Sequence, residues 1–182
     1  FMGAASSDQY WIALLGGSLI DEGYGVAVDS SDNIIVCGLT TSDGAGGYDL
    51  LVAKYDSSGT LIWDKTLGST VAERGYGVAV DSSDNIIVCG MRNLSGDEGL
   101  IVADFGSSVA VDSSDNIIVC GSTQSEGAGL YDLLVAKYNS SGVLQWDKTL
   151  GGTGTEGGYG VAVDSSDNII VCGYTSNSVF SC

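Results

Sequence analysis

The sequence predicts an all-β protein assembled from repeated units, and three observations support this class. Short runs rich in Val, Ile, Tyr and Trp alternate with clusters of Gly, Ser, Asp and Asn, which is typical of strands separated by turns. No stretch has the period of about 3.6 residues and the caps that indicate a helix. The string VAVDSSDNIIVCG occurs four times without change, beginning at Val26, Val78, Val109 and Val161.

The spacing of these four copies sets the size of the repeat. Successive copies begin 52, 31 and 52 residues apart, and the segment YDLLVAKYDSSGTLIWDKTLG at 48–68 returns with few changes at 131–151. Repeats of about 50 residues that contain short strands are typical of β-propellers and solenoids. Each full repeat therefore predicts one compact unit of several strands.

Each full unit is predicted to contain four strands, which we label A to D. In the first unit they cover 23–29, 33–40, 48–55 and 60–68. Strand A places Tyr24, Val26 and Val28 on one face, because side chains alternate along a strand. Short connections make neighbouring strands antiparallel. We expect an all-β fold, a β-propeller built from four-stranded antiparallel blades, with four repeat units visible.

Two polar turns connect the strands within a unit, DSSDN at 29–33 and DSSG at 56–59. Their Asp and Ser side chains can bond to nearby backbone N–H groups, and Asp32, Asn33 or Gly59 can adopt a left-handed conformation. A calcium loop is the alternative interpretation. The EF-hand pattern, however, needs Gly at its sixth position and Glu at its twelfth, and neither follows DSSDN on schedule.

Composition excludes several classes of function. The chain has 182 residues, of which 44% are hydrophobic, and 6 basic against 23 acidic residues give a formal charge of -17. Such a surface repels nucleic acid and anionic lipid. The chain has no histidine, which excludes Ser-His-Asp and Cys-His mechanisms. It has no apolar run long enough to span a membrane and no recognisable signal peptide, so a signal has been removed, the chain is an excised piece, or the protein is cytosolic.

The segments GYGVAVDSSDNIIVCG and YDLLVAKYDSSGTLIWDKTLG, in this order, resemble the SBBP family, the seven-bladed β-propeller repeat of bacterial and archaeal surface proteins. The resemblance covers nearly the whole chain. It implies radial four-stranded blades and an extracellular or cell-surface setting, and it supplies no catalytic residue. The chain departs from the family in having four units rather than seven, and in carrying Cys where the family more often has another small residue.

The ends of the chain predict how a ring would close. Trp11 lies 12 residues before Gly23, as Trp63 lies 12 residues before Gly75, so the chain begins with a lone strand D. We expect this first strand to complete the last blade, which hides sheet edges. The predicted units of the single domain 1–182 are 23–74, 75–105 (truncated), 109–157, and 158–182 together with 7–17. Self-association to complete a larger ring is a further prediction.

The 31-residue interval predicts an irregularity in the second unit. If strand C of that unit is GLIVADF (99–105), only three residues precede Val109, and they reach about 10 Å. That is too short to run back along a strand of roughly 17 Å. We therefore expect about 21 residues to be missing between Phe105 and Val109, or a rearranged blade.

The cysteine that recurs in strand B is expected to be a small structural residue buried between blades. Equivalent positions in neighbouring blades lie too far apart for a disulfide, and strand B is not innermost, so a four-cysteine metal site is not expected. Metal or redox use is the alternative, and Cys182 has no counterpart in the repeats. The four repeat cysteines are Cys37, Cys89, Cys120 and Cys172.

The B–C and D–A connections should meet at one end of the blades, where loops on a rigid scaffold commonly bind ligands. Acidic residues there are candidates for binding a cation or a basic partner, although ordinary polar loop tips are the alternative. No cofactor is predicted, with Ca²⁺ as the exception under this hypothesis, and no dedicated metal site. The candidate residues are Asp21, Asp43, Glu73, Glu126 and Glu156.

Three functions compete at this stage. The sequence favours a non-enzymatic propeller that serves as a surface or extracellular structural or protein-interaction module, with an unknown protein or glycan partner. The alternative is a carbohydrate- or Ca²⁺-binding module that uses the acidic loop end. A hydrolase or lyase with paired carboxylates such as Glu73 and Glu156 is less favoured, because repeat symmetry singles out no pair.

Overall fold

The computed structural model describes residues 15–45, 47–69, 71–92, 104–128 and 130–176. Its strands are all antiparallel to their sheet neighbours. In these ranges the strands are β1 (Asp21–Val28), β2 (Ile34–Thr40), β3 (Asp49–Tyr55), β4 (Leu61–Leu67), β5 (Glu73–Val80), β6 (Ile86–Arg92), β7 (Phe105–Val111), β8 (Ile117–Thr123), β9 (Asp132–Tyr138), β10 (Leu144–Leu150), β11 (Glu156–Val163) and β12 (Ile169–Thr175).

The strands form four sheets, which are blades 1 to 4 in chain order. Blade 1 (β1–β4) and blade 3 (β7–β10) have four strands in sequential order, whereas blade 2 (β5–β6) and blade 4 (β11–β12) have two strands among the described residues. The predictions of an all-β fold and of four-stranded antiparallel sheets are confirmed. Strands A to D of the first unit are observed within two residues of their predicted bounds.

The A–B turn folds through the chemistry that its sequence predicted. The Asp29 Oδ1 atom accepts hydrogen bonds from the backbone N–H groups of Ser31 and Asn33, each at 2.9 Å. Asp32 adopts a left-handed conformation with φ of 60°, which aspartate tolerates better than most residues. The same geometry recurs in all four copies, with left-handed residues Asp32, Asp84, Asp115 and Asp167.

The first aspartate of these turns carries a lowered pKa. The Lys54 ammonium, 2.6 Å from Asp29 Oδ2, and the Asn33 amide hold the pKa of Asp29 well below its usual value. Burial would raise the pKa of Asp112, but Lys137, 2.7 Å away, and Asn116 lower it overall. A carboxylate that is more acidic in the folded chain than in the unfolded chain stabilises the fold above its unfolded pKa.

Acid should therefore destabilise the fold in a defined range of pH. We expect the melting temperature to hold between pH 7 and about pH 5 and to fall below about pH 4, where unfolded aspartates begin to bind protons that the folded turns exclude. Differential scanning calorimetry in about 0.5 M NaCl, which screens the repulsion between exposed acidic groups, isolates this effect. The variant Asp29→Asn should show a smaller loss. A melting temperature that stays constant or rises from pH 4 to pH 2 would contradict the assignment.

Neighbouring blades pack face to face in chain order. We name the side of each sheet that carries the string cysteine the cysteine face, and the opposite side, which carries the first valine of the string, the valine face. Ile35 and Cys37 on the cysteine face of blade 1 form one buried cluster with Val78 on the valine face of blade 2. An ideal Cβ on Gly75 would lie 3.3 Å from the Cβ of Cys37, so glycine allows this close approach.

A hydrogen-bonded clasp connects the A–B turns of successive blades. Ser30 of blade 1 donates from its backbone N–H (2.9 Å) and its hydroxyl (2.6 Å) to the carboxylate of Asp84 in blade 2. Ser82 makes the same pair of bonds to Asp115 at 2.9 and 2.7 Å. We call this pair of bonds the serine–aspartate clasp. It repeats between blades 3 and 4, from Ser113 to Asp167.

The start of blade 3 corrects the expectation about the short interval. Phe105 is not the end of a strand C but the first residue of β7, where it pairs with Ser122 of β8. The strand runs without a break from Phe105 to Val111 in the sequence as given. The expectation that about 21 residues are missing from that sequence stays a prediction, which an intact mass would test. Residues 93–104 lie between β6 and β7 in the chain. Because β6 ends at the same end of the blades at which β7 begins, the connection does not need to run back along the length of a strand. Residues 99–103 of the predicted strand C (99–105) lie outside the described residues.

The sequence also predicted that the first strand D of the chain completes the last blade. The first strand D, predicted at 7–17, lies mostly outside the described residues, as do Trp11 and Cys182. First strands pack in the order β1, β5, β7 and β11, and among the described strands neither β11 nor β12 packs extensively on β1. Within the described ranges, no helix is long and apolar enough to cross a membrane.

Candidate functional site

The B–C and D–A connections meet at one end of the blades, which we call the loop end. The backbone N–H of Glu73, at the start of β5, donates to the carbonyl of Tyr48 in the B–C loop of blade 1 at 2.7 Å. Glu156 donates in the same way to Tyr131 at 2.8 Å. These bonds join the loops of one blade to the first strand of the next.

Three of the five predicted acidic site residues occupy equivalent positions at the loop end, where strand A begins. Asp21 accepts hydrogen bonds from the hydroxyls of Thr40 and Ser42, at 2.5 and 2.8 Å. Glu73 accepts one from the Ser69 hydroxyl at 2.6 Å. Both carboxylates thus bind the loops beside them, and Glu73 also forms an ion pair with Arg92 of β6 at 3.1 Å.

Glu156, at the start of strand A in blade 4, also binds neighbouring residues of the loop end. It accepts hydrogen bonds from the Gly152 N–H at 3.0 Å and from the Thr175 hydroxyl at 2.9 Å, and it is almost completely buried. Glu73 and Glu156 lie in blades 2 and 4, with blade 3 between them. The structure therefore does not bring these two carboxylates together as an acid–base pair.

The other two predicted residues are exposed loop tips. Asp43 is exposed and accepts a hydrogen bond from the neighbouring Gly44 N–H at 2.9 Å. Glu126 is also exposed, and its backbone N–H donates to the Thr123 hydroxyl at 3.3 Å. Among the described residues no group of three or more His, Cys, Asp or Glu side chains is placed to hold a metal ion. The five candidates are thus spread over the loop end rather than gathered at one point.

Sequence reasoning missed an acidic residue of the same set. Asp104 accepts hydrogen bonds from the Ser125 hydroxyl at 2.6 Å and the Gln124 N–H at 3.1 Å, as Asp21 does from its own loop. Burial opposes ionisation, but the hydrogen bonds from Ser125 and Thr123 lower the pKa of Asp104 overall. Counting 52 residues back from Glu156 would have found Asp104, because the third repeat keeps that spacing.

Asp49, in strand C, was also missed by sequence reasoning. This carboxyl group is 1% exposed, and its Oδ1 atom has no hydrogen-bond partner among the described residues. Its oxygen lies against the Cα of Gly68, where any side chain would collide with it. The alternation of apolar residues in YDLLVAKY identifies the strand but does not indicate a buried carboxylate at its first residue.

An apolar cavity lies where the first strands of blades 2, 3 and 4 approach one another. Its volume is about 310 Å³, and its described lining is almost entirely apolar. Each first strand has a β-bulge at this level, and bulges redirect side chains. The residue at the bulge is tyrosine in three blades, but it is Ser107 in blade 3. The lining residues are Tyr76, Met91, Phe105, Ser107 and Tyr159.

The repeat cysteines lie away from this cavity, on the faces where blades pack. Cys37 and Cys120 are fully buried, Cys89 is half-buried and Cys172 is exposed on the last blade. Burial raises the pKa of Cys37, Cys89 and Cys120 to about 11. Because the thiolate is the reactive form, these three thiols are poor nucleophiles at neutral pH.

Comparison with known proteins gives one curated relative of interest, an uncharacterized WD repeat-containing protein of Acanthamoeba polyphaga mimivirus. It is 27% identical over an alignment that covers 90% of this chain and 13% of the relative. The chain thus spans about 13% of the length of the curated protein that it matches.

Two family models match the first third of the chain. Residues 30–61 match the domain of unknown function (DUF5122) beta-propeller. Residues 11–44 match the SBBP beta-propeller repeat. Over that stretch the chain is similar to the family whose resemblance its sequence indicated, and the recognition made from the repeated segments is confirmed.

Proposed function

We propose that this chain is a non-enzymatic β-propeller that serves as a protein-interaction module at a cell surface or outside the cell. The match to a propeller repeat and the likeness to a WD repeat-containing protein support the interaction role. The surface setting rests on the resemblance to the SBBP family. A ring in which the first strand D completes the last blade, of the same chain or of a second copy, belongs to the same proposal.

The observation that carries the interaction role is the cavity beside Ser107. Tyr76 and Tyr159 border it with their rings, and Phe105 and Met91 complete the described lining. A tyrosine at position 107, as in the other repeats, would project into this space. The serine leaves room for one aromatic or apolar side chain from a partner, and buried aromatic anchors of this kind dominate many interfaces.

The charge of the chain selects among partners that carry such an anchor. The formal charge of -17 favours a basic segment, because opposite charges raise the rate of encounter and like charges suppress wrong partners. Tyr159 stacks on Tyr174, with ring centroids 5.1 Å apart, and is still 65% exposed at the border of the cavity, so part of its ring remains open to a partner. We therefore infer that the partner presents an aromatic side chain flanked by Lys or Arg.

A cavity-filling variant tests this assignment. Peptides selected from a displayed random library on the purified chain should share an aromatic residue next to Lys or Arg. Ser107→Tyr should weaken their binding by at least about 30-fold in fluorescence anisotropy, the loss of a hot-spot contact of about 2 kcal/mol. Ser114→Tyr adds the same ring at the opposite end of the blade and should leave binding unchanged. Equal binding by wild type and Ser107→Tyr would refute the site.

The second candidate function is binding of Ca²⁺ or a carbohydrate at the loop end. The observation that favours it is Asp49, a buried carboxyl group with an oxygen that finds no hydrogen-bond partner in the described part of the chain. A bound cation would satisfy such an oxygen. Glycan-array binding with and without EDTA separates this function from the first. The absence of glycan binding in both conditions would argue against a carbohydrate- or Ca²⁺-binding function.

A further inference from the structure

We propose that two copies of this chain join head to tail, the valine face of blade 1 in one copy packing on the cysteine face of blade 4 in the other. This goes beyond the proposed function, because the partner is a second copy and the surfaces are the two ends of the blade stack. The contacts between successive blades within the chain show what such a junction consists of.

The valine face of blade 1 is the first open end. Val26 is 67% exposed, whereas its equivalents Val78 and Val109, which another blade covers, are each 8% exposed. Val28, two residues along the same face, is 57% exposed. The sequence around these valines is identical in all four copies of the string, so only the missing neighbour accounts for the difference.

The cysteine face of blade 4 is the other open end. Ile170 is 51% exposed, whereas its equivalents Ile35 and Ile118 are completely buried by the following blade. Cys172 is exposed, while the equivalent Cys37 packs against Gly75 of the next blade. The cysteine face of blade 4 thus exposes the same isoleucine and cysteine that, in blade 1, pack against the valine face of the next blade.

The serine–aspartate clasp supplies a second and independent observation. Each internal junction uses the first serine of one turn and the left-handed aspartate of the next. At the ends, Ser165 of blade 4 is an exposed donor, and Asp32 of blade 1 is an exposed acceptor. Neither side chain has a hydrogen-bond partner within the described part of the chain. Docking the two ends would form the fourth clasp of the series.

The occupant that we infer is a second copy of this chain, because the two halves of the contact that joins its own blades are both open on it. Blades 1 to 4 pack in order, and among the described strands neither β11 nor β12 packs extensively on β1. Head-to-tail contacts give a closed ring only if the number of units suits the rotation. Two copies supply eight blades, within the usual range of about four to eight, whereas three copies would exceed it.

Measurement of mass in solution is the first test. Native mass spectrometry should give twice the 18.5 kDa of one chain. Val26→Asp and Ile170→Asp should each be monomeric and folded, because both positions are exposed within a single chain. Leu67→Asp, at a position 70% exposed on β4 and outside both end faces, should remain dimeric. A monomeric wild-type chain would overturn the proposal.

Mixing the two monomeric variants tests the direction of the contact. A ring of two Val26→Asp chains has a damaged partner in both junctions, and the same holds for two Ile170→Asp chains. One chain of each kind places both substitutions in a single junction and leaves the other junction intact. Mixing should therefore restore a dimer. Failure of the mixture to dimerise would overturn the head-to-tail arrangement.

A disulfide trap distinguishes a second copy from closure of one chain on itself. Equivalent internal positions bring the Cβ of Cys89 within 3.1 Å of an ideal Cβ on Gly106, close to disulfide range. In a Cys182→Ser background, Gly23→Cys should form a disulfide with Cys172 of the other copy on oxidation. Electrophoresis should show a covalent dimer that Cys172→Ser abolishes. A disulfide within one chain, or none, would overturn the proposal.

Discussion

Replacing Gly121 with alanine should disrupt blade 3 and lower the free energy of unfolding by about 3 kcal/mol or more. The β-bulge at Ser107 brings the carbonyl oxygen of Phe105 against the Cα of Gly121, where a Cβ atom would overlap that oxygen. The obstacle is backbone, which cannot rotate away as a side chain would. Glycine ends every copy of the thirteen-residue string, and each of the four glycines meets a carbonyl in this way.

Urea denaturation followed by circular dichroism measures this loss. Gly142→Ala is the matched control, because nothing lies within 4 Å of the Cβ position there, although its φ of 78° favours glycine. The control should cost only the conformational strain of about 1 kcal/mol. Equal losses for both variants would show that the carbonyl contact at Gly121 is unimportant.

The substitution Ile118→Ala should cost about 2–5 kcal/mol of unfolding free energy, the second largest effect that we expect. Ile118 is completely buried on the cysteine face of blade 3, beneath blade 4, so its loss removes apolar contacts and leaves a cavity. Ile62→Ala, at a position 51% exposed on β4, should cost less than about 1 kcal/mol.

Urea denaturation followed by circular dichroism also measures the loss of unfolding free energy for Ile118→Ala and for Ile62→Ala. Because both variants delete the same atoms, the difference between them reports burial alone. A loss at Ile118 no greater than the loss at Ile62 would mean that blades 3 and 4 do not pack in solution as they do in the structure.

Much of the fold could be predicted from sequence because it is local. Strands A to D follow from alternation and from polar turns, and the left-handed Asp32 follows from the tolerance of aspartate for that conformation. Antiparallel order follows from short connections. These features depend on neighbouring residues, so a single repeat contains the information that specifies them.

Contacts between blades could not be predicted in the same way. Nothing within the string DSSDN tells that Ser30 bonds to Asp84, since the two residues belong to different copies, 54 positions apart. The start of blade 3 was placed too late because Phe105-Gly106-Ser107 lacks the tyrosine that marks strand A elsewhere. In that blade the register is set by pairing with β8 rather than by the sequence of β7.

The candidate site was predicted in part. Acidic residues at the loop end were expected, and Asp21, Glu73 and Glu156 lie there with their oxygens bonded to their own loops. The cavity beside Ser107 was not expected. It lies beside the one repeat that has serine in place of the tyrosine of the others, and its walls come from three blades whose packing the sequence alone does not give.

The serine–aspartate clasp has a consequence for how such a chain can change in length during evolution. The clasp joins only A–B turns, so it does not depend on which strands follow strand B in each unit. Blade 2, which has two strands among the described residues, keeps its clasps on both sides. Gene duplication can add whole units, and deletion can remove outer strands, while every junction between neighbouring units retains the same set of atoms.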